Sequence, residues 1–368
     1  MNKTPIAASV AIMLAAVVPN VALAQSSVTI YGLIDAGIEH VTNIDASGRS
    51  VTRMPNLSAG AFPSRIGFRG SEDLGDGLKA VFTLENGFGP DTGTVNQGGR
   101  LFGRQAWVGL ASKWGTVTLG RNYSMMFNSF YDVDVIGPSQ YGVGTIDAYL
   151  PNARSDNSIA YRGVFSGTTI GATYSLGRDA SAAGGPSATN CAGENAADAQ
   201  ACRNWSAMLR HDGATWGALV AYDTYNGGVG AAAPFSPTLS SKSDSRLHAA
   251  GYAKFGVVKI AGGWLRRKNE ASLLTPDSDL AYIGTTYNFT DMLSLDAQVA
   301  RLDVKNSPND TTMVAARANY ALSKRSAVYL LVAHQGNKGN AAIAITSGGS
   351  TVAGAAQNGV LVGMRHSF

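Results

Sequence analysis

The stretch VTIYGLIDAGIE, Val28–Glu39, alternates with a period of two. Val28, Ile30, Gly32, Ile34, Ala36 and Ile38 fall on one side, and Thr29, Tyr31, Asp35 and Glu39 on the other. Successive side chains of a strand point to opposite faces, so this spacing predicts a strand with one apolar and one polar face. The period returns in SRIGFRG, Ser64–Gly70, where Ile66 and Phe68 oppose Arg65 and Arg69. It closes the sequence too: Val360, Val362, Met364, His366 and Phe368 oppose Gly359, Gly363 and Arg365. In between, Val258, Ile260 and Trp264 oppose Lys259, Gly263 and Arg267, and helical periodicity is scarce.

About sixteen such segments are expected, starting near Ser27, Pro63, Gly77, Arg100, Thr116, Arg154, Gly167, Arg203, Thr215, Ser243, Gly256, Asp279, Met292, Asp310, Ser326 and Ala356. Short connections such as Glu72–Asp76, Ser112–Gly115 and His211–Ala214 alternate with long ones: His40–Phe62, Gly89–Gly99, Asn122–Ala153, Gly177–Cys202, Tyr225–Lys242 and Lys338–Ala355. Alternation alone fits a large soluble β-sandwich as well as a membrane barrel, because the two differ only in which face meets water. The short and long connections, the low charge and the aromatics near strand ends (Trp114, Tyr287, Phe289, Phe368) favour an antiparallel transmembrane barrel.

The N-terminus supports export. Lys3, an apolar run from Ile6 to Val18 and Ala22-Leu23-Ala24 read as a signal peptide over residues 1–24, leaving 25–368 as the barrel. Charged residues are only 15% of the chain. The 29 Lys and Arg, one of them in the leader, stand against 25 Asp and Glu, a balance too even to suggest nucleic acid. An oxidising compartment makes a Cys191–Cys202 disulfide the default reading of the two cysteines, ahead of free thiols and of metal binding. The five histidines, His40, His211, His248, His334 and His366, have no ligand spacing, and no catalytic motif stands out, so neither a cofactor nor a metal is expected.

Several stretches carry a resemblance: SRIGFRGSEDLGDGLKAVFTLENGF (Ser64–Phe88), GRQAWVGL (Gly103–Leu110), GTVTLGRNY (Gly115–Tyr123), RSDNSIAYRG (Arg154–Gly163) and VGMRHSF (Val362–Phe368). Together they resemble the Gram-negative general porins, nearest the β-proteobacterial branch. The resemblance implies a sixteen-stranded outer-membrane barrel that assembles as a homotrimer, with long extracellular loops and a third loop folded into a water-filled lumen. It implies passive diffusion of small hydrophilic solutes and inorganic anions. The implied surroundings are outer-membrane lipid, lipopolysaccharide and the barrel assembly machinery, which would read Phe368 as its signal.

The resemblance assigns pore-wall arginines to Arg65, Arg104 and Arg154, and puts Arg121 where the fifth strand enters the inward loop. That loop is the Asn122–Ala153 segment, whose acids are Asp132, Asp134 and Asp147. Enteric relatives carry a Pro-Glu-Phe-Gly-Gly motif there, whereas this chain has Pro138-Ser139-Gln140-Tyr141-Gly142 and lacks the glutamate. Permanently charged arginines facing few acids should favour anions, since arginine stays protonated at any working pH. Two rival functions share the barrel. An adhesin or receptor would act through its loops and show no conductance, and a barrel hydrolase would need a Ser–His pair at the lipid face, where His366 is expected to lie.

Overall fold

The computed structural model describes residues 27–55, 60–147, 153–177, 191, 193–229, 238–270 and 277–368; the expected leader, 1–24, lies outside them. The strands are β1 (Ser27–Val41), β2 (Val51–Arg53), β3 (Arg65–Gly75), β4 (Leu78–Gly87), β5 (Gln105–Ser112), β6 (Gly115–Tyr123), β7 (Arg154–Phe165) and β8 (Thr168–Ser175). They continue with β9 (Asn204–Asp212), β10 (Trp216–Asn226), β11 (Ser243–Phe255), β12 (Val258–Asn269), β13 (Ser278–Asn288), β14 (Leu293–Val304), β15 (Thr311–Ala321), β16 (Ser326–Asn337) and β17 (Ala356–Ser367). Two short helices, α1 (Met125–Ser129) and α2 (Val143–Ile146), lie between β6 and β7.

Every strand but the three-residue β2 belongs to one closed antiparallel barrel, which therefore has sixteen staves. Closure is made by β1, which pairs with β17 from Leu33↔Ser367 to Val41↔Gly359 and with β3 from Ser27↔Ser71 to Leu33↔Arg65. Above Leu33, β3 no longer covers β1, and a bare edge in hydrocarbon would leave peptide groups unpaired at several kcal/mol each. Asp35 covers this gap. Its carboxylate accepts the N–H groups of Ala61 (3.1 Å) and Phe62 (3.0 Å), Ser64 Oγ accepts the Asp35 N–H (2.9 Å), and β2 pairs with Glu39–Val41 above. The ends of β17 and β1 are tied by reciprocal backbone bonds between Phe368 and Gly32, both 3.1 Å.

The connections set one end of the barrel apart from the other. Asp76-Gly77 and Ser166-Gly167 have positive φ at both residues (51° and 76°, 48° and 81°), as a tight two-residue hairpin requires. The opposite end carries the long loops. One of them holds the Cys191–Cys202 disulfide, with the two Cα atoms 5.5 Å apart.

Burial decides which face meets water. Val28, Ile30, Ile34 and Ile38 are exposed, while Asp35 and Glu39 on the other face of β1 are fully buried. Outward residues elsewhere repeat this: Val108, Leu119, Ile159, Leu209, Ile283 and Val362 are all exposed, as are Trp114, Tyr287, Phe289 and Phe368 near strand ends. A soluble sandwich would bury its apolar face, so this inversion is that of a membrane barrel with aromatics at the interface.

The inner face is not uniformly polar. Leu265, Leu280, Leu331 and Leu361 point inward and are completely buried, as are Met126, Val133, Ile136, Tyr141 and Val143 of the β6–β7 loop. Together they form one apolar cluster inside the barrel. Removing such side chains from the water of the lumen gives about 1.5–3 kcal/mol each, which seats the loop against the wall. Glycines make room for it: a Cβ on Gly359 would lie 2.6 Å from the Tyr141 ring, and one on Gly284 would lie 2.5 Å from a Val135 methyl.

Candidate functional site

The loop between β6 and β7 enters the lumen, and its described residues are pinned at several points. Ser124 caps α1 by accepting the Phe127 N–H (3.1 Å). Ser206 on β9 accepts the Met125 N–H (2.8 Å), and Ser129 bonds His248 on β11 (2.7 Å). Phe130 stacks on the His248 ring with centroids 4.3 Å apart. Further on, Gln298 of β14 accepts the Val135 N–H (3.1 Å) and donates to Asp134 (2.9 Å). Arg317 of β15 donates to the carbonyls of Ile136 and Val135, each at 2.9 Å. Tyr141 reaches β1, donating to Glu39 (3.2 Å).

Part of the space the loop leaves open is a bore of about 370 Å³, lined by Arg65, Glu85, Arg104, Asp132, Lys259 and Arg317 among others. Its centre of charge is Glu85 on β4. Arg104 donates to it from Nε (2.7 Å), Arg65 lies 3.7 Å away, and the hydroxyls of Tyr31 (2.9 Å) and Tyr123 (3.2 Å) donate as well. Arg104 is buried by these contacts, whereas Arg65 stays partly open to the lumen. Across the bore, Arg317 is held by Asp296 (2.8 Å), and Lys259 stands 3.8 Å from Asp132.

The other expected residues are placed as follows. Arg154, the first residue of β7, packs behind the loop, its guanidinium 5.1 Å from the Tyr123 ring centre and 5.9 Å from that of Phe127. Arg121 is drawn to Asp156, which Arg100 also approaches at 3.2 Å, and it donates to the Gly103 carbonyl (2.8 Å). Asp132, at the loop tip with φ of 70°, is exposed and bonds Arg210 (2.8 Å). Asp134 is buried against Gln298 and the Gly137 N–H, and burial pushes its carboxyl above the usual range. Asp147 lies away from the bore in an ion cluster with Arg246 (3.5 Å), Arg267 (3.9 Å) and the Asp244 that both arginines share.

Glu85 is the residue that sequence reasoning passes over. Its signal is parity: with Phe82 and Leu84 outward, Thr83 and Glu85 must face in, and Glu85 pairs across the ladder with Gly67, two residues from Arg65. Around the bore and toward the turn end, cations line the wall. Arg69 lies over the Tyr31 ring (5.3 Å), Arg365 over the Phe62 ring (5.1 Å), and Arg210, Lys254 and Lys259 surround the Tyr252 ring at 5.9, 5.3 and 5.0 Å.

A closed barrel with an apolar outside, a charged inside and a loop narrowing the passage defines a β-barrel membrane protein of the channel-forming class. Comparison with known proteins gives the family: the Gram-negative porin family matches residues 8–340, and the chain belongs to it. Outer membrane porin protein 32 of Delftia acidovorans is 30% identical over 362 residues, covering 94% of this chain and 95% of that one. An outer membrane porin of Bordetella pertussis is 38% identical over 190 residues, 48% of either chain. Among solved structures, the anion-selective porin from Comamonas acidovorans aligns with a TM-score of 0.75 and 25% identity over 94% of this chain and all of that one. The protein is accordingly an outer-membrane porin.

Proposed function

We propose that the lumen is a passive diffusion path for small hydrophilic solutes and inorganic anions, with a preference for anions set by Arg65 and Arg104 on the bore wall, Arg154 adding its charge from behind the loop. The observation that carries this reading is the shortage of countercharge. Glu85 is shared by two arginines, and Asp132 by Arg210 and Lys259. Among the described residues, Arg69 and Arg365 contact rings rather than carboxylates. Low-dielectric walls focus such an excess onto the water path and lower the energy of a passing anion. The anion-selective relative from Comamonas acidovorans agrees with this sign.

No bond is made or broken in this function. The wall supplies a field, and the seated loop supplies a fixed aperture. Homotrimeric assembly and recognition of Phe368 by the assembly machinery belong to the same proposal, on the strength of the family resemblance. The experiment is ion selectivity of purified protein in planar bilayers, comparing the native chain with the triple substitution Arg65→Ser, Arg104→Ser and Arg154→Ser. Chloride preference should drop toward neutrality in the variant. An unchanged preference in a folded variant would remove these arginines from the account.

A further inference from the structure

Beside the bore, and meeting it at Gln105, Tyr123, Tyr131 and Asp132, lies a second cavity of about 750 Å³ between β5, β6, β7, β9 and α1. This is the size of a small-molecule site. Trp107 lines it with its indole N–H already donated to Gln105 Oε1 (3.1 Å), so the ring's remaining contribution is apolar surface. Tyr131, 48% exposed, and Met208 extend that surface.

On the same stretch of wall, two strands along and nearer the turns, is one cation with no ion pair among the described residues. Arg162, exposed near the turn end of β7, lines the same cavity. The other cation, Arg210, is committed: it bonds both oxygens of Asp212 at 2.7 Å and Asp132 at 2.8 Å. The two carboxylates are thereby occupied as well. An inorganic anion would use Arg162 alone and leave the aromatic surface wet. A cation would have to displace Arg210 from its partners.

We infer that this cavity binds small organic monoanions with a flat apolar body, the aromatic carboxylates, with Arg162 taking the carboxylate and Trp107 the ring. The apolar part of such a solute covers surface that otherwise faces the water of the lumen, and its charge meets the uncommitted guanidinium. The inference rests on the aqueous path proposed above.

The test uses the full chain in planar bilayers in KCl, with benzoate as probe and acetate as the carboxylate that lacks a ring. Stepwise conductance in KCl alone tests the channel itself, so a channel that conducts yet ignores benzoate fails this inference only. Benzoate should interrupt the current in a concentration-dependent way that equal acetate does not. Trp107→Ala should shorten the interruptions about fivefold, from the loss of an aromatic contact. Arg162→Gln should weaken benzoate about tenfold, from the loss of a charged hydrogen bond. Trp107→Phe should keep most of the effect. Equal action of benzoate and acetate, or a benzoate effect that survives both Trp107→Ala and Arg162→Gln, would overturn the inference.

Discussion

Replacing Glu85 with glutamine should make the channel more anion-preferring. Glu85 lies 2.7 Å from Arg104 and 3.7 Å from Arg65, so its charge offsets two guanidiniums at once. Glutamine keeps an oxygen for the Arg104 Nε–H and the Tyr123 hydroxyl, so the local fold has a route to survive. For an ion passing ~6 Å from the lost charge, one unit is worth ~0.7 kcal/mol in water, cut to ~0.4 kcal/mol by salt at 0.1 M. The change helps chloride and hinders potassium alike, so their permeability ratio should rise roughly fourfold, given tenfold per ~1.4 kcal/mol. The assay is the zero-current potential across a bilayer under a KCl gradient, with heat-resistant barrel migration on gels as the folding control. A ratio that stays level or falls in a folded variant would refute the placement of Glu85 beside the ion path.

Three other outcomes follow from the same geometry. Tyr141→Ala empties a fully buried site between the loop and β17 and should cost about 3–5 kcal/mol, lowering the melting temperature and raising conductance as the loop loosens. Changing Cys191 and Cys202 together to alanine should cost ~3 kcal/mol by the chain-entropy estimate, visible in thermal unfolding, and leave single-channel conductance unchanged because the bridge joins points within one outer loop. Because burial holds the Asp134 carboxyl above the usual range, it loses its negative charge before exposed carboxylates do as pH falls. Chloride preference should therefore climb on mild acidification, and Asp134→Asn should flatten that rise.

The barrel was legible because lipid imposes an apolar residue at every second position, and that demand reads straight from stretches such as Val28–Glu39. All sixteen expected starting points fall within five residues of a wall strand. The loop seat was harder to see. Leu265 and Leu280 sit at inward positions where a water-filled lumen predicts polar residues, and only the folded loop explains them. Side-chain direction near a bulge is hidden in the same way. The ladder between β6 and β7 shifts register between Gly120 and Asn122, and Arg121 turns to Asp156 instead of following the parity of its strand. Glu85 was readable by parity, but its role depends on Arg65 and Arg104 arriving from two neighbouring strands. Asp147 pairs with β11 and β12 residues about a hundred positions away, which no local pattern announces.

The most direct test of the central claim is the sign of the zero-current potential for the native protein between two KCl solutions of unequal concentration at neutral pH. Excess cations around the bore predict the sign of a chloride-selective channel, with the magnitude shrinking as both salt concentrations rise and screening shortens the reach of the field. A potassium-selective sign would contradict the account.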